Sequence, residues 1–242
     1  MSLTTGGRPA PPWGILASCA WLLGAFFISF VAAASVFITM QPGDLRPLGG
    51  TYDGVVITIG AIASTPIQIV VLAMAAQLRH WKPADYFALN VPRRGEVIVA
   101  VACVVALCIA FDAIIYITGR DLVPAFQIES YRSASDAGWL LWLTIAIVIV
   151  APIGEEIAFR GFLYRGLVRP GREMVAIAII ALAWAMLHIQ YDWVGMAQIF
   201  TAGLVLGWFR WASGSTTLTI IMHVLVNAEA MIETWIKVQY FS

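Results

Sequence analysis

The chain has 242 residues, of which 61% are hydrophobic and 12% charged, with a mean hydropathy of +0.86. Fourteen Lys and Arg balance 14 Asp and Glu, so the formal net charge is zero. A soluble domain carries about a quarter charged residues and a nucleic-acid binder shows a cationic excess. Both classes are excluded, and the composition describes a chain built for a bilayer.

A helix that crosses a bilayer needs about 20 mostly apolar residues. In chain order the candidates are 13–40, 54–78 with Pro66 inside it, and 97–118 with Asp112 inside it. A fourth begins near Gly138 and runs through Pro152 into the polar stretch at Glu155. Three more follow at 174–189, 194–209 and 216–236. The long first run could hide a break and make eight. The expected fold is therefore all-α, a polytopic transmembrane bundle of about seven to eight helices. It reads as one membrane domain over 1–242, with N-terminal helices in 13–118 and core helices in 138–238. Trp13, Trp81, Trp139, Trp193, Trp211 and Trp235 lie near segment ends, as an interfacial belt requires. Ala32-Ala33-Ala34 could mimic a signal-peptide cleavage site, but the apolar run continues past it and argues against cleavage. Cys19, Cys103 and Cys108 sit in apolar runs and read as packing residues.

Ten of the 14 Lys and Arg fall on the N-terminal side of the segments, Arg8, Arg165 and Arg210 among them; Arg46 and three others fall on the far side. The positive-inside bias then puts the N-terminus in the cytoplasm, with a plasma (inner) membrane as the expected location.

Ionisable groups inside spans cost at least ~2.5–3.5 kcal/mol each at mid-bilayer, so each is a candidate for function. They are Asp112, Glu155, Glu156, Arg160, His188, His223, Glu229 and Glu233. Glu156 and Arg160 share a helix face and can pair; Glu155 is turned about 100° away and stays free to meet another helix. The plain alternative is that both glutamates are solvated at a helix end. Pro170-Gly171 is the natural turn after this helix. Glu155 lies 16 residues before Gly171 and His188 lies 17 after it, so an antiparallel hairpin sets them at matching depth, about 24 and 26 Å from the turn. Trp184 is one turn before His188. His223 and Asn227, four apart, share a stripe of the last segment, where interhelical hydrogen bonding is the plain alternative. Gly203 and Gly207 form a small-xxx-small pattern that permits close helix approach.

In this order these elements resemble the CPBP family, the ABI or CAAX-type intramembrane proteases. Its Glu-Glu-x-x-x-Arg motif is matched by Glu155, Glu156 and Arg160. Its Phe-x-x-x-His is matched by Trp184 and His188, and its His-x-x-x-Asn by His223 and Asn227. Asp85-Tyr86-Phe87-Ala88-Leu89 resembles the family more weakly, and the likeness spans roughly 85–230. It departs from the pattern at Trp184, whose larger ring and indole N–H stand where the family has Phe.

The resemblance implies hydrolysis of a peptide bond within or near the membrane, with the catalytic cavity in the C-terminal half. Glu155 would activate a water jointly with His188, and His223 and Asn227 would donate to the oxyanion. Glu156, Arg160 and Trp184 would be structural support. Glu155, His188 and His223 could instead hold a divalent metal such as zinc; the reading adopted is a water activated without tightly bound metal. The implied partners are the lipid bilayer and a peptide or membrane-protein substrate, with prenylated proteins among the candidates, and no nucleic acid. Two rivals are a non-catalytic scaffold or bacteriocin-immunity role and an ion- or proton-coupled transporter. No His-Glu-x-x-His, Gly-x-Ser-x-Gly or Gly-x-Gly-Asp is present to support another intramembrane protease chemistry. Asp112, Glu229 and Glu233 have no assigned role.

Overall fold

The structure is a computed structural model, described here for residues 11–40 and 53–241. It is 81% helical, and among the described residues there is no strand. The helices are α1 Ile15–Met40, α2 Gly54–Gln77, α3 Pro83–Tyr86, α4 Arg94–Ile117, α5 Ala125–Asp136, α6 Leu140–Leu167, α7 Glu173–Ala185, α8 Trp193–Ser213 and α9 Thr216–Tyr240. Arg8 and Arg46, used above for orientation, lie outside the described residues.

Local chemistry sets the helix starts. Asp53 Oδ1 accepts from the amides of Val55 and Val56 at the head of α2. Glu96 reaches back to the Arg93 amide at the head of α4. Asp192 and Ser215 cap α8 and α9 through the Gly195 and Leu218 amides. Each satisfies donors that a helix cannot satisfy itself. Gly214 ends α8 in the left-handed region at φ 69°, a conformation that favours glycine.

Among the described residues five helices are long and apolar enough to cross a membrane: α1, α2, α4, α6 and α9. The expectation of seven to eight spans is not met by that measure. The first run is one unbroken helix of 26 residues. The fifth expected segment forms only 13 residues of helix in α7, about 20 Å long against a hydrocarbon core of about 30 Å. The chain continues from Met186 to Asp192 as turns. Asp192 then pairs with Arg120, at the far end of α4, while Asn90, just before α4, bonds Gly214 and Ser215 at the opposite end of α8. The α7–α8 hairpin thus runs between the same two faces as the long helices. Helix α5 was not foreseen from sequence. It has 12 residues, too short and too polar to read as a span, yet it buries Ser130, Tyr131 and Ala134 against α2 and α9.

The long exposed apolar side chains of α1 and α4, such as Phe27, Phe30, Val105 and Ile109, form the outer, lipid-compatible surface. Helix α6 is the most enclosed of the five apolar spans and α4 the least. Around α6 the core gathers Leu72, Tyr86, Phe87, Phe159, Phe162, Ile177, Trp184, Leu218 and Met222. The small residues do what their spacing predicted. A Cβ on Gly203 would lie 2.9 Å from Ala181 Cβ and 3.2 Å from Trp184, and one on Gly207 would lie 2.6 Å from Ile177, so the α8 backbone packs directly on α7 side chains.

Candidate active site

Helix α6 carries the first motif and is not a regular α-helix. Ala146–Val150 and Ile157–Leu163 are π-helical, flanking the stretch that holds Glu155 and Glu156. Such wider turns release carbonyls from the usual ladder and recur at functional sites. Each π segment gives a backbone oxygen to a side chain of another helix: Ile147 accepts from Asn227 Nδ2 at 2.9 Å, and Arg160 accepts from Arg210 Nε at 3.0 Å. Between them, Gly154 O accepts from Gln68 Nε2 at 3.1 Å.

Glu156 and Arg160 pair as their spacing predicted, at 2.9 Å, and both are almost fully buried, at 0% and 1% exposure. The same Glu156 oxygen also meets His223 Nδ1 at 3.1 Å, a contact across 67 residues that spacing could not reveal. Because a carboxylate only accepts, Nδ1 carries the hydrogen, and Nε2 becomes a donor only in the imidazolium.

Glu155 is separate from this pair, again as predicted. Its Oε2 accepts the indole N–H of Trp184 at 2.6 Å. Trp184 is the hub of the site. Its ring lies 5.1 Å from His188 and 5.2 Å from His223, edge-on to both, and the Arg160 guanidinium sits 4.5 Å above it. The residue that departs from the family pattern therefore contacts all three motifs.

His188 falls just beyond the end of α7, not within a span as the helix arithmetic assumed. Trp184, inside α7, contacts both His188 and Glu155. His188 Nδ1 donates to the Trp184 carbonyl at 2.9 Å, which leaves Nε2 as an acceptor. Asn227 spends one amide hydrogen on Ile147 and keeps a second.

Tyr191 was not singled out from sequence. Its ring lies 6.2 Å from His188 and its amide donates to the His188 carbonyl. Its hydroxyl accepts from Gln127 Nε2 at 2.9 Å, and Gln127 in turn accepts from Thr234. Burial pushes the Tyr191 phenol up, against the pull of the Gln127 hydrogen bond; the Glu155 carboxylate pushes the same way as burial. At neutral pH the phenol keeps its hydrogen. Only the three-dimensional meeting of α5, α9 and the 186–192 turns brings it here, and no sequence signal marks it.

Two cations counted as loop charges are structural. Arg210 is 6% exposed and stacks 4.9 Å over Tyr164. Arg165 donates to the carbonyls of Tyr86 and Asp85 and lies over the rings of Trp81 and Tyr86. The weakly matched segment at 85–89 is accordingly a plug. Phe87 O takes the Thr216 hydroxyl at 2.6 Å and Ala88 O takes the Thr216 amide, fixing the start of α9 and thus His223.

The ligand atoms of Glu155, His188 and His223 are not gathered into one metal-sized set. Among the described residues, the one group of at least three His, Cys, Asp or Glu whose ligand atoms all lie within 4.8 Å of one another is Asp112, Glu229 and Glu233, not Glu155, His188 and His223. The assignment as a metalloprotease is not supported. Asp112, Glu229 and Glu233, scattered over two spans in the sequence, meet between α4 and α9 away from this site.

The model of the family described as "Type II CAAX prenyl endopeptidase Rce1-like" matches residues 137–228. The chain carries an Rce1-like region. It holds Glu155, Glu156, Arg160, Trp184, His188, His223 and Asn227, and it agrees with the CPBP or CAAX-protease resemblance read from the motifs. The matched region is similar to a family of CAAX-type proteases, which are hydrolases, and it lies in a chain whose apolar helices point to an integral membrane protein. No curated protein and no solved structure matches the chain.

Proposed function

We propose that the chain is an intramembrane endopeptidase that hydrolyses a peptide bond at or near the bilayer, as a CAAX prenyl endopeptidase does. It would sit in a plasma membrane with its N-terminus cytoplasmic, and prenylated peptides are its first candidate substrates. The observation that carries this reading is the convergence on Trp184: one indole contacts Glu155, Arg160, His188 and His223.

In the proposed mechanism a water lies between Glu155 and His188 Nε2. Trp184 N–H holds Glu155 Oε2, and Oε1 takes a proton from the water while the oxygen attacks the scissile carbonyl. The tetrahedral oxyanion is met by the second amide hydrogen of Asn227 and by His223 Nε2 in its imidazolium form, the state that ion-pairs with Glu156. Collapse breaks the C–N bond, and the proton held on Glu155 passes to the leaving amine. Glu156 and Arg160 hold His223 and the helix in register. No step requires a metal.

The test uses purified protein in proteoliposomes with a prenylated CAAX reporter peptide. Glu155→Gln keeps the shape of the side chain and removes the base, so cleavage falls by about 10²–10⁴-fold, the usual worth of a general base, with the thermal midpoint unchanged. A Glu155→Gln protein that cleaves at the parental rate overturns the mechanism.

A further inference from the structure

On one face of the bundle α1 begins at Ile15, α2 ends at Gln77 and α6 ends at Leu167. A cavity of about 440 Å³ opens there, lined by Pro11, Pro12, Trp13, Arg165, Val168 and Arg169. Among the described residues its lining holds two guanidiniums and no carboxylate, and the rest is apolar or aromatic. Arg79 stands at its edge, 4.2 Å over the Trp13 ring, with its Nε buried and unpartnered. Among the described residues none of these three arginines is in ion-pair contact with a carboxylate.

The two lining guanidiniums are fixed before any ligand arrives. Arg165 spends Nε and Nη2 on the carbonyls of Tyr86 and Asp85 and is stacked on two rings. Arg169 spends Nη1 on Gly166 and Val168. Arg165 Nη1 and Arg169 Nε and Nη2 keep their hydrogens. Fixed, planar donors with no anion of their own suit a phosphate, which offers several acceptors and takes forked contacts. Three span ends and the Trp13 ring put the cavity at headgroup level, and prolines and Val168 offer apolar contact beside the charge.

We propose that this cavity binds the phosphate headgroup of an anionic phospholipid from the surrounding bilayer. Basic pockets between spans on the Lys- and Arg-rich face are suited to such headgroups. Bound there, the lipid clamps the start of α1 against the end of α6, the helix that carries Glu155 and Arg160. The proposal does not depend on the peptidase reading, and its test reads lipid binding rather than cleavage.

The full-length protein is titrated with phosphatidylglycerol or phosphatidylcholine, and bound lipid is counted by native mass spectrometry. Thermal midpoints are measured in vesicles with and without phosphatidylglycerol. The parent protein retains phosphatidylglycerol in preference to phosphatidylcholine and melts higher in its presence. Arg169→Gln weakens retention by about fivefold, the size of one interfacial arginine's attraction to an anionic lipid, and loses the rise in midpoint. Arg172→Gln removes the same charge from an exposed position outside the cavity and changes neither. Val168→Phe, which fills the cavity and leaves every charge, loses retention as Arg169→Gln does. Equal retention by Arg169→Gln and Arg172→Gln, or undiminished retention by Val168→Phe, overturns the proposal. So does displacement of the lipid by inorganic phosphate with the same rise in midpoint, which assigns the site to a free phosphate.

Discussion

Trp184 stands at 4% exposure where four polar groups need a common neighbour. The indole offers two separable services, a ring face and edge for Arg160 and the two histidines, and an N–H for Glu155. Trp184→Phe keeps the first and loses the second, and it restores the residue the family pattern carries. Cleavage of the reporter is expected to change by less than about tenfold, the worth of one modest hydrogen bond, with little loss of stability. Trp184→Ala removes both and is expected to cost about 3–5 kcal/mol of stability, as other buried aromatic deletions do. Equal effects of the two variants in reporter cleavage and chemical denaturation would show that the ring is not the hub. Glu156 makes a different prediction. Glu156→Gln leaves Arg160 buried without a counter-charge, so a loss of about 3–5 kcal/mol is expected, whereas Glu156→Leu combined with Arg160→Met recovers most of it. The spacing of Glu155, Glu156 and Arg160 made the Glu156–Arg160 pair and the separateness of Glu155 legible, because i,i+4 geometry survives in a single helix. The contact of Glu156 with His223 and the place of Tyr191 were not legible, since both depend on helices far apart in the chain.

At the level of elements, α6 departs most from what its sequence announces. Its apolar letters read as a plain span, yet two π segments rotate its turns and turn two carbonyls towards Asn227 and Arg210. Periodicity cannot expose this, because inserting an extra residue per turn leaves an all-apolar stretch looking the same. Helix α7 was misjudged for a related reason. The hydropathy of 174–189 is high throughout, and nothing in it marks the stop at Ala185; the equal-depth arithmetic assumed a helix longer than the one that forms. The α7–α8 contact, by contrast, was legible from two glycines four apart. It yields a prediction: Gly203→Val drives side-chain atoms into Ala181 and Trp184, and overpacking of this kind costs about 1–3 kcal/mol. Reporter cleavage should fall with it, because Trp184 is the displaced partner. A Gly203→Val protein with parental midpoint and rate would mean that the helices part without cost.

For the whole molecule, composition alone settled the class, a helical bundle in a bilayer, while the number of passes was not settled by composition. Short α7 is paired with α8, so counting or omitting the hairpin changes the number of crossings by two and leaves the parity odd. The two ends of the chain are therefore expected on opposite faces. Phosphatase reporters fused at either end, assayed for activity on the two sides of the membrane, should give opposite signals; matching signals would require an even number of passes. Three of the ten cations on the N-terminal side are structural: Arg160 and Arg210 are buried and Arg165 is bound to carbonyls.

The stretch from Met186 to Asp192 has one more bearing. Beyond Met186 its backbone makes turn bonds such as His188 N to Ala185 O and Tyr191 N to His188 O in place of a helical ladder. Hydrocarbon does not tolerate such backbone, and protein or water must meet it. In the proposed hydrolysis, this need for polar company beside His188 would bring water to the place where it is consumed.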